Sequence, residues 1–148
     1  MKFGRKLLLV IATPLAMIAC AAPAAAAVIN VVKTASCGCC GKWVEHMKRA
    51  GHDVRVTNVD DVTPTAKRLG VPDDLRSCHT SSVGKYAIEG HVPAADIARL
   101  LKEKPVAAGL SVPGMVAGSP GMETGGQKPA YQTILFTRDG KRKVFAQH

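Results

Sequence analysis

Apolar positions change their period several times along this chain, and each change marks an element. Val28-Ile29-Asn30-Val31-Val32 is a short β-branched run with the length of a buried strand. From Gly41 to Ala50 the spacing becomes helical. Trp43, Met47 and Ala50 fall at i, i+4 and i+7, Glu45 and Arg49 form an i,i+4 pair in the favourable order, and Gly51 is the stop. Asp53 to Val59 alternates, with Val54 and Val56 set against Arg55 and Thr57, and predicts a second strand. Thr63-Pro64 supplies an N-cap with proline at the first helical position, and Gly70 closes that short helix. The first half is therefore β-α-β-α.

The second half is less regular. Pro72 to Arg76 reads as one helical turn, and Val83 to Glu89 as a strand weakened at Gly84. Pro93 opens a helix that buries Ile97, Leu100 and Leu101 and ends before Pro105. Six glycines and three prolines in the 24 residues from Val106 to Pro129 predict a loop, of a length uncommon unless it serves a function. Tyr131 to Phe136 and Lys141 to Phe145 flank Asp139-Gly140 as a β-hairpin. The pattern predicts one α/β domain over residues 28–148, with a long Gly/Pro/Met loop and a C-terminal hairpin.

Residues 1–27 are set apart by composition. Lys2, Arg5 and Lys6 form a basic head, Leu7 to Ile18 an apolar run, and Ala24 to Ala27 a small-residue tract. This is the plan of a secretory signal peptide, and the run is too short for a comfortable membrane span. A lipid anchor at Cys20 fits less well, because Met17 stands where a branched aliphatic residue is expected. The chain carries a net charge of +9, three charges of which the leader would take away. The remaining basic residues are scattered apart from Lys141-Arg142-Lys143, and aromatics are few, which argues against nucleic acid as a partner.

Export changes the meaning of the cysteines. In an oxidising compartment idle thiols pair, yet Cys37-Gly38-Cys39-Cys40 crowds three into four residues. Cys37 and Cys40 have the spacing of a dithiol redox pair, to which Cys39 adds little. A third sulfur does suit a soft metal shared among thiolates, with Cu(I) foremost. The cluster lies at a strand end and a helix start, where unpaired N–H groups favour thiolate for either chemistry. In the long loop, Val112-Pro113-Gly114-Met115 recurs as Ser119-Pro120-Gly121-Met122. Each Pro-Gly turn projects a thioether, either as a soft ligand or as a filler of gaps in the core. His79, beside Cys78, and His91, before Val92-Pro93, are candidate ligands, whereas His46, His52 and His148 read as surface or packing residues.

From about Val31 to Phe136 the chain resembles the CopG-type family of small exported copper-resistance proteins. The resemblance rests on Cys37-Gly38-Cys39-Cys40 with Trp43, on Cys78-His79-Thr80, on Glu89-Gly90-His91-Val92-Pro93, on Pro113-Gly114-Met115 and on Gly118-Ser119-Pro120-Gly121-Met122-Glu123. Val116 departs from it, standing where a proline would follow the first methionine. The resemblance implies a thioredoxin-like fold, a periplasmic location, and Cu(I) held as one or more ions by Cys37, Cys39, Cys40 and Cys78. Copper ions and other periplasmic copper-handling proteins are the implied partners, and a copper-linked redox role is suggested. A thioredoxin-like site carries a cis-proline facing its cysteines, for which Pro93, Pro113 and Pro129 are candidates. The expectation is an exported Cu(I)-binding protein contributing to copper resistance. The alternatives are a metal-free thiol–disulfide oxidoreductase acting through Cys37 and Cys40, and a structural domain stapled by a Cys37–Cys40 or Cys40–Cys78 disulfide.

Overall fold

A computed structural model describes residues 26–148 apart from Thr124, Gln127 and Lys128. The predicted leader, with Cys20, lies outside the described residues except for Ala26 and Ala27. Strand β1 (Val28–Lys33) turns Ile29, Val31 and Lys33 inward. Helix α1 (Gly38–Arg49) begins three residues earlier than its apolar spacing predicts. Its cap is Cys37, whose Sγ accepts the Cys40 N–H at 3.4 Å. Thiols are not usual capping side chains, and Gly38-Cys39 has no apolar period to reveal a first turn. α1 buries Cys40, Trp43, Val44 and Met47. Glu45 pairs with Lys48 at 3.0 Å, while the Arg49 Nε donates to the Glu45 carbonyl.

Strand β2 (Asp53–Asn58) pairs in parallel with β1 at the sheet edge. Its alternation buries little there, and Val56 stays 43% exposed. Helix α2 (Thr63–Leu69) is preceded by Val62 as its cap residue; Thr63 already lies inside it, and its N–H donates to the Asp61 carboxylate at 2.8 Å. The predicted helical turn is a 3₁₀ turn over Asp73–Leu75.

Three further readings change. The strand predicted from Val83 to Glu89 covers only the last residue of β3 (His79–Val83), then the turn and all of β4 (Tyr86–Glu89), and the two strands form a hairpin. Gly84, at φ 54°, makes its turn, so the residue read as a weak point within one strand separates two. Helix α3 (Ala94–Glu103) follows Pro93 and buries Ile97 and Leu100, with Leu101 partly covered. The predicted loop contains β5 (Gly109–Ser111), too short and glycine-rich to register as a period. Strands β6 (Gln132–Phe136) and β7 (Arg142–Gln147) form the expected hairpin. No peptide bond among the described residues is cis, so neither Pro93 nor Pro113 supplies the expected cis-proline.

The single sheet has the order β2-β1-β3-β4-β5-β6-β7, with β1/β2 and β4/β5 parallel and every other pair antiparallel. Alternating side chains give it two apolar faces. Ile29, Val31, Ile88 and Leu110 pack with Trp43 and Met47 of α1 and Ile97 and Leu100 of α3. Ala87 and Phe136 pack with Ala66 of α2 and with Val71 and Leu75. This topology brings the C-terminal ends of β1, β4 and β5 and the start of β3 to one end of the sheet. No described helix is long and apolar enough to cross a membrane.

Candidate metal centre

All four predicted cysteines converge at that end. Cys37, Cys39 and Cys40 come from the cap and first turn of α1, and Cys78 immediately precedes β3. Their four sulfurs lie within 4.8 Å of one another. Cys37 and Cys40 are joined as a disulfide, with Cα atoms 5.4 Å apart, while Cys39 and Cys78 are free thiols. The Cys39 Sγ is 3.5 Å from that of Cys37, and the Cys78 Sγ 3.5 Å from that of Cys40. One thiol therefore flanks each end of the disulfide.

Cys78 belongs to a second set of donors. The His91 Nε2 is 3.1 Å and the His79 Nδ1 3.6 Å from its sulfur, and all three residues can share an ion. The His91 Nδ1 lies 2.7 Å from the Pro120 carbonyl. A carbonyl only accepts, so Nδ1 carries the proton and Nε2 turns a lone pair toward Cys78 when the ring is neutral. His79 is fully buried between the rings of Trp43 and His91, at centroid distances of 4.6 and 5.1 Å. Its Nε2 is buried without a hydrogen-bond partner.

Burial favours the neutral forms of Cys78, His79 and His91. Burial pushes the Cys78 thiol up to about 11, with the neighbouring Cys39 adding to the shift. Burial pulls His79 down to about 3, with His91 and Lys33 contributing as neighbouring cations. Burial also lowers His91, opposed by its bond to Pro120. A metal ion would take the place of the thiol proton here, since thiolate is the ligating form.

The glycine-rich loop lies against the site. Gly121, at φ 85°, fits where a Cβ would come within 2.7 Å of the Trp43 nitrogen and 2.8 Å of the Cys39 carbonyl. Both Glu123 carboxylate oxygens accept the Gly121 N–H at 3.0 Å, and one reaches the His46 Nε2 at 2.8 Å. His46, read as a surface or packing residue, thus ties the loop to α1. Met122 is half-buried; Met115 is 62% exposed.

Other residues that shape the site were given no role of their own from the sequence, although Glu89 and Gly114 lie in motifs that carry the resemblance. Glu89 is fully buried and accepts from Ser77 and Thr80. The Ser77 hydroxyl donates to the Gly114 carbonyl, and the Gly114 N–H to the Arg76 carbonyl at 2.9 Å. A further signal was an acidic residue ending an otherwise apolar strand, Tyr86-Ala87-Ile88-Glu89.

Comparison with known proteins bears on this site. The family model described as a protein of unknown function, DUF411, matches residues 75–122, which include Cys78, His79, His91 and both loop methionines. No curated protein matches the chain. The chain is similar to a solved structure of copper resistance protein CopG, form 2, at 42% identity and a TM-score of 0.79; the match covers 83% of this chain and 98% of that one. Form 1 of the same protein matches at 43% identity and a TM-score of 0.78, covering 82% of this chain and 96% of the other.

Proposed function

From the premise that this chain belongs to the family of the copper resistance protein CopG, we propose that it is an exported, thioredoxin-like protein holding Cu(I) through Cys37, Cys39, Cys40 and Cys78 and contributing to copper tolerance. The carrying observation is the convergence of four cysteine sulfurs within 4.8 Å of one another from two separate parts of the chain. Soft thiolates suit Cu(I), and crowded ones can bridge more than one ion. His79, whose Nε2 is buried and unpartnered, His91, Met115 and Met122 are further donors within this reading.

The thioredoxin-like part is supported by the βαβ unit β1-α1-β2, followed after α2 by the antiparallel pair β3/β4 and then α3, with Cys-x-x-Cys at the start of α1. The Cys37–Cys40 disulfide adds a condition. A disulfide sulfur is not a thiolate, so the oxidised chain offers only Cys39 and Cys78 as cysteine ligands. Loading all four requires a dithiol reductant, which gives two electrons, opens the Cys37–Cys40 bond to two thiols and leaves as a disulfide itself. The same disulfide is the bond that the second reading, a metal-free thiol–disulfide oxidoreductase, would use.

Anaerobic titration with Cu(I) against a chromophoric chelator separates the two. The reduced chain should strip copper from the chelator, and the oxidised chain should do so far less. A reduced chain that leaves the chelator loaded while exchanging disulfides with a model dithiol would favour the oxidoreductase. Export is tested separately by the mature N-terminus: Val28 is expected, and an acylated Cys20 would replace a free protein with a membrane-anchored one.

A further inference from the structure

A buried carboxylate stands behind the sulfur cluster without belonging to it. Glu89, the last residue of β4, has no solvent exposure. Its Oε1 accepts the Ser77 backbone N–H at 2.8 Å and lies 3.5 Å from the Arg76 Nε. Its Oε2 accepts the Thr80 hydroxyl at 2.6 Å. These partners bracket Cys78 and His79 on both sides along the chain. An acid buried without donors would be costly, and Glu89 meets a donor in each direction.

Besides Glu89, Gly114 holds the segment ahead of β3, its carbonyl accepting the Ser77 hydroxyl and its N–H donating to the Arg76 carbonyl, but no ladder reaches it ahead of His79. Arg76, Ser77 and Cys78 precede β3 and lie in no strand or helix, and the β1/β3 ladder begins only at Lys33 and His79. Cys78 nevertheless has to place its sulfur 3.5 Å from Cys40 and 3.1 Å from His91. Glu89 does for this segment what ladder hydrogen bonds do inside a strand. It is itself set by the sheet, facing Thr80 across β3/β4 and Ser111 across β4/β5.

We propose that Glu89 is the positioning residue of the metal centre, fixing the Arg76–Thr80 segment so that Cys78 meets the sulfurs of α1. The inference rests on the reading of Cys78 as a ligand, and its test separates the two. Glu89→Gln keeps an oxygen for the Ser77 N–H and offers an N–H to the Thr80 oxygen, so positioning should survive the loss of charge. Glu89→Ala removes both contacts. Glu89→Asp keeps the charge but shortens the reach, and decides the question if Glu89→Ala does not fold.

Two readouts are needed. In the oxidised, metal-free chain, alkylation of Cys78, followed at that residue by peptide mass spectrometry, should run at least about tenfold faster in Glu89→Ala or Glu89→Asp, the scale set by losing a hydrogen bond to a charged group. The rate in Glu89→Gln should stay near that of the unaltered chain. In the reduced chain, Glu89→Ala should lower Cu(I) binding to the level of Cys78→Ser, with no further loss when the two are combined. An unchanged alkylation rate in the folded Ala or Asp variant overturns the proposal. So does an Ala effect on copper that is equally large with and without Cys78, which would mean general loosening. If Cys78→Ser binds copper like the unaltered chain, the ligand reading of Cys78 fails, and the alkylation rates still decide the role of Glu89.

Discussion

Cys39 is the sulfur that separates metal binding from dithiol chemistry. The Cys37–Cys40 disulfide does not include it, yet it lies 3.5 Å from Cys37. Cys39→Ser should therefore sharply lower Cu(I) stoichiometry or affinity in the reduced chain while leaving that disulfide able to form. Unaltered copper binding in a chelator competition would remove Cys39 from the site. His79 sets a second expectation, on pH. Its folded pKa of about 3 lies below its ordinary value of 6.5, so between these values the unfolded chain takes up a proton that the native chain refuses. Stability from this residue is full above about pH 6.5 and falls as the pH drops toward 3, by up to ~1.4 kcal/mol per unit. Thermal unfolding of the metal-free protein should accordingly shift to lower temperature between pH 6.5 and 4, and less steeply in His79→Gln. Equal slopes would assign the acid sensitivity to other groups. The cysteine cluster was readable as chemistry because sequence neighbours stay neighbours. The free state of Cys78, the tautomer of His91 and the anchoring by Glu89 depend on groups distant in the chain.

At the scale of elements, the decisive contact is between the glycine-rich loop and the first turn of α1. The second Pro-Gly turn ends at Gly121, whose absent Cβ admits the backbones of Cys39 and Trp43. Those neighbours are main chain, so they cannot swing aside. Gly121→Ala should lift the loop, breaking the Pro120–His91 and Glu123–His46 contacts. A backbone residue forced into such a conformation costs roughly 1–3 kcal/mol, which should lower Tm by several degrees for a domain of this size. A melting curve that does not move would show that the loop is not seated there. The repeat of Pro-Gly-Met was legible in the sequence as two turns, but not which face of the fold they would cover. β5 was not legible either, because three residues carry no period. The first arm of the β3/β4 hairpin was missed because His79-Thr80-Ser81-Ser82 is polar and shows no apolar period, although the sheet largely buries it.

On the scale of the whole molecule, the core and the site share one side chain. Trp43, the chain's single tryptophan, is fully buried in the larger apolar cluster, donates to the Val92 carbonyl at 2.9 Å and packs against His79. Its fluorescence should report both ends of the fold, shifting to the red on unfolding and quenching as Cu(I) is added to the reduced chain. Quenching that fails to saturate with copper binding would place the metal away from this end of the sheet. The sequence by itself determined what depends on spacing: the strand that leads into the cysteines, the helix that follows them, the C-terminal hairpin, and the resemblance that pointed to copper. Period and local chemistry act over a few residues, and those features are local. Only the tertiary structure decided which distant groups meet. Parallel pairing of β1 with β2 and of β4 with β5, and antiparallel pairing of β1 with β3, carries Cys78, His91 and the glycine-rich loop to the end of β1. Strand order is settled by the burial of two apolar sheet faces at once, a property of the assembled chain that no stretch of it expresses alone.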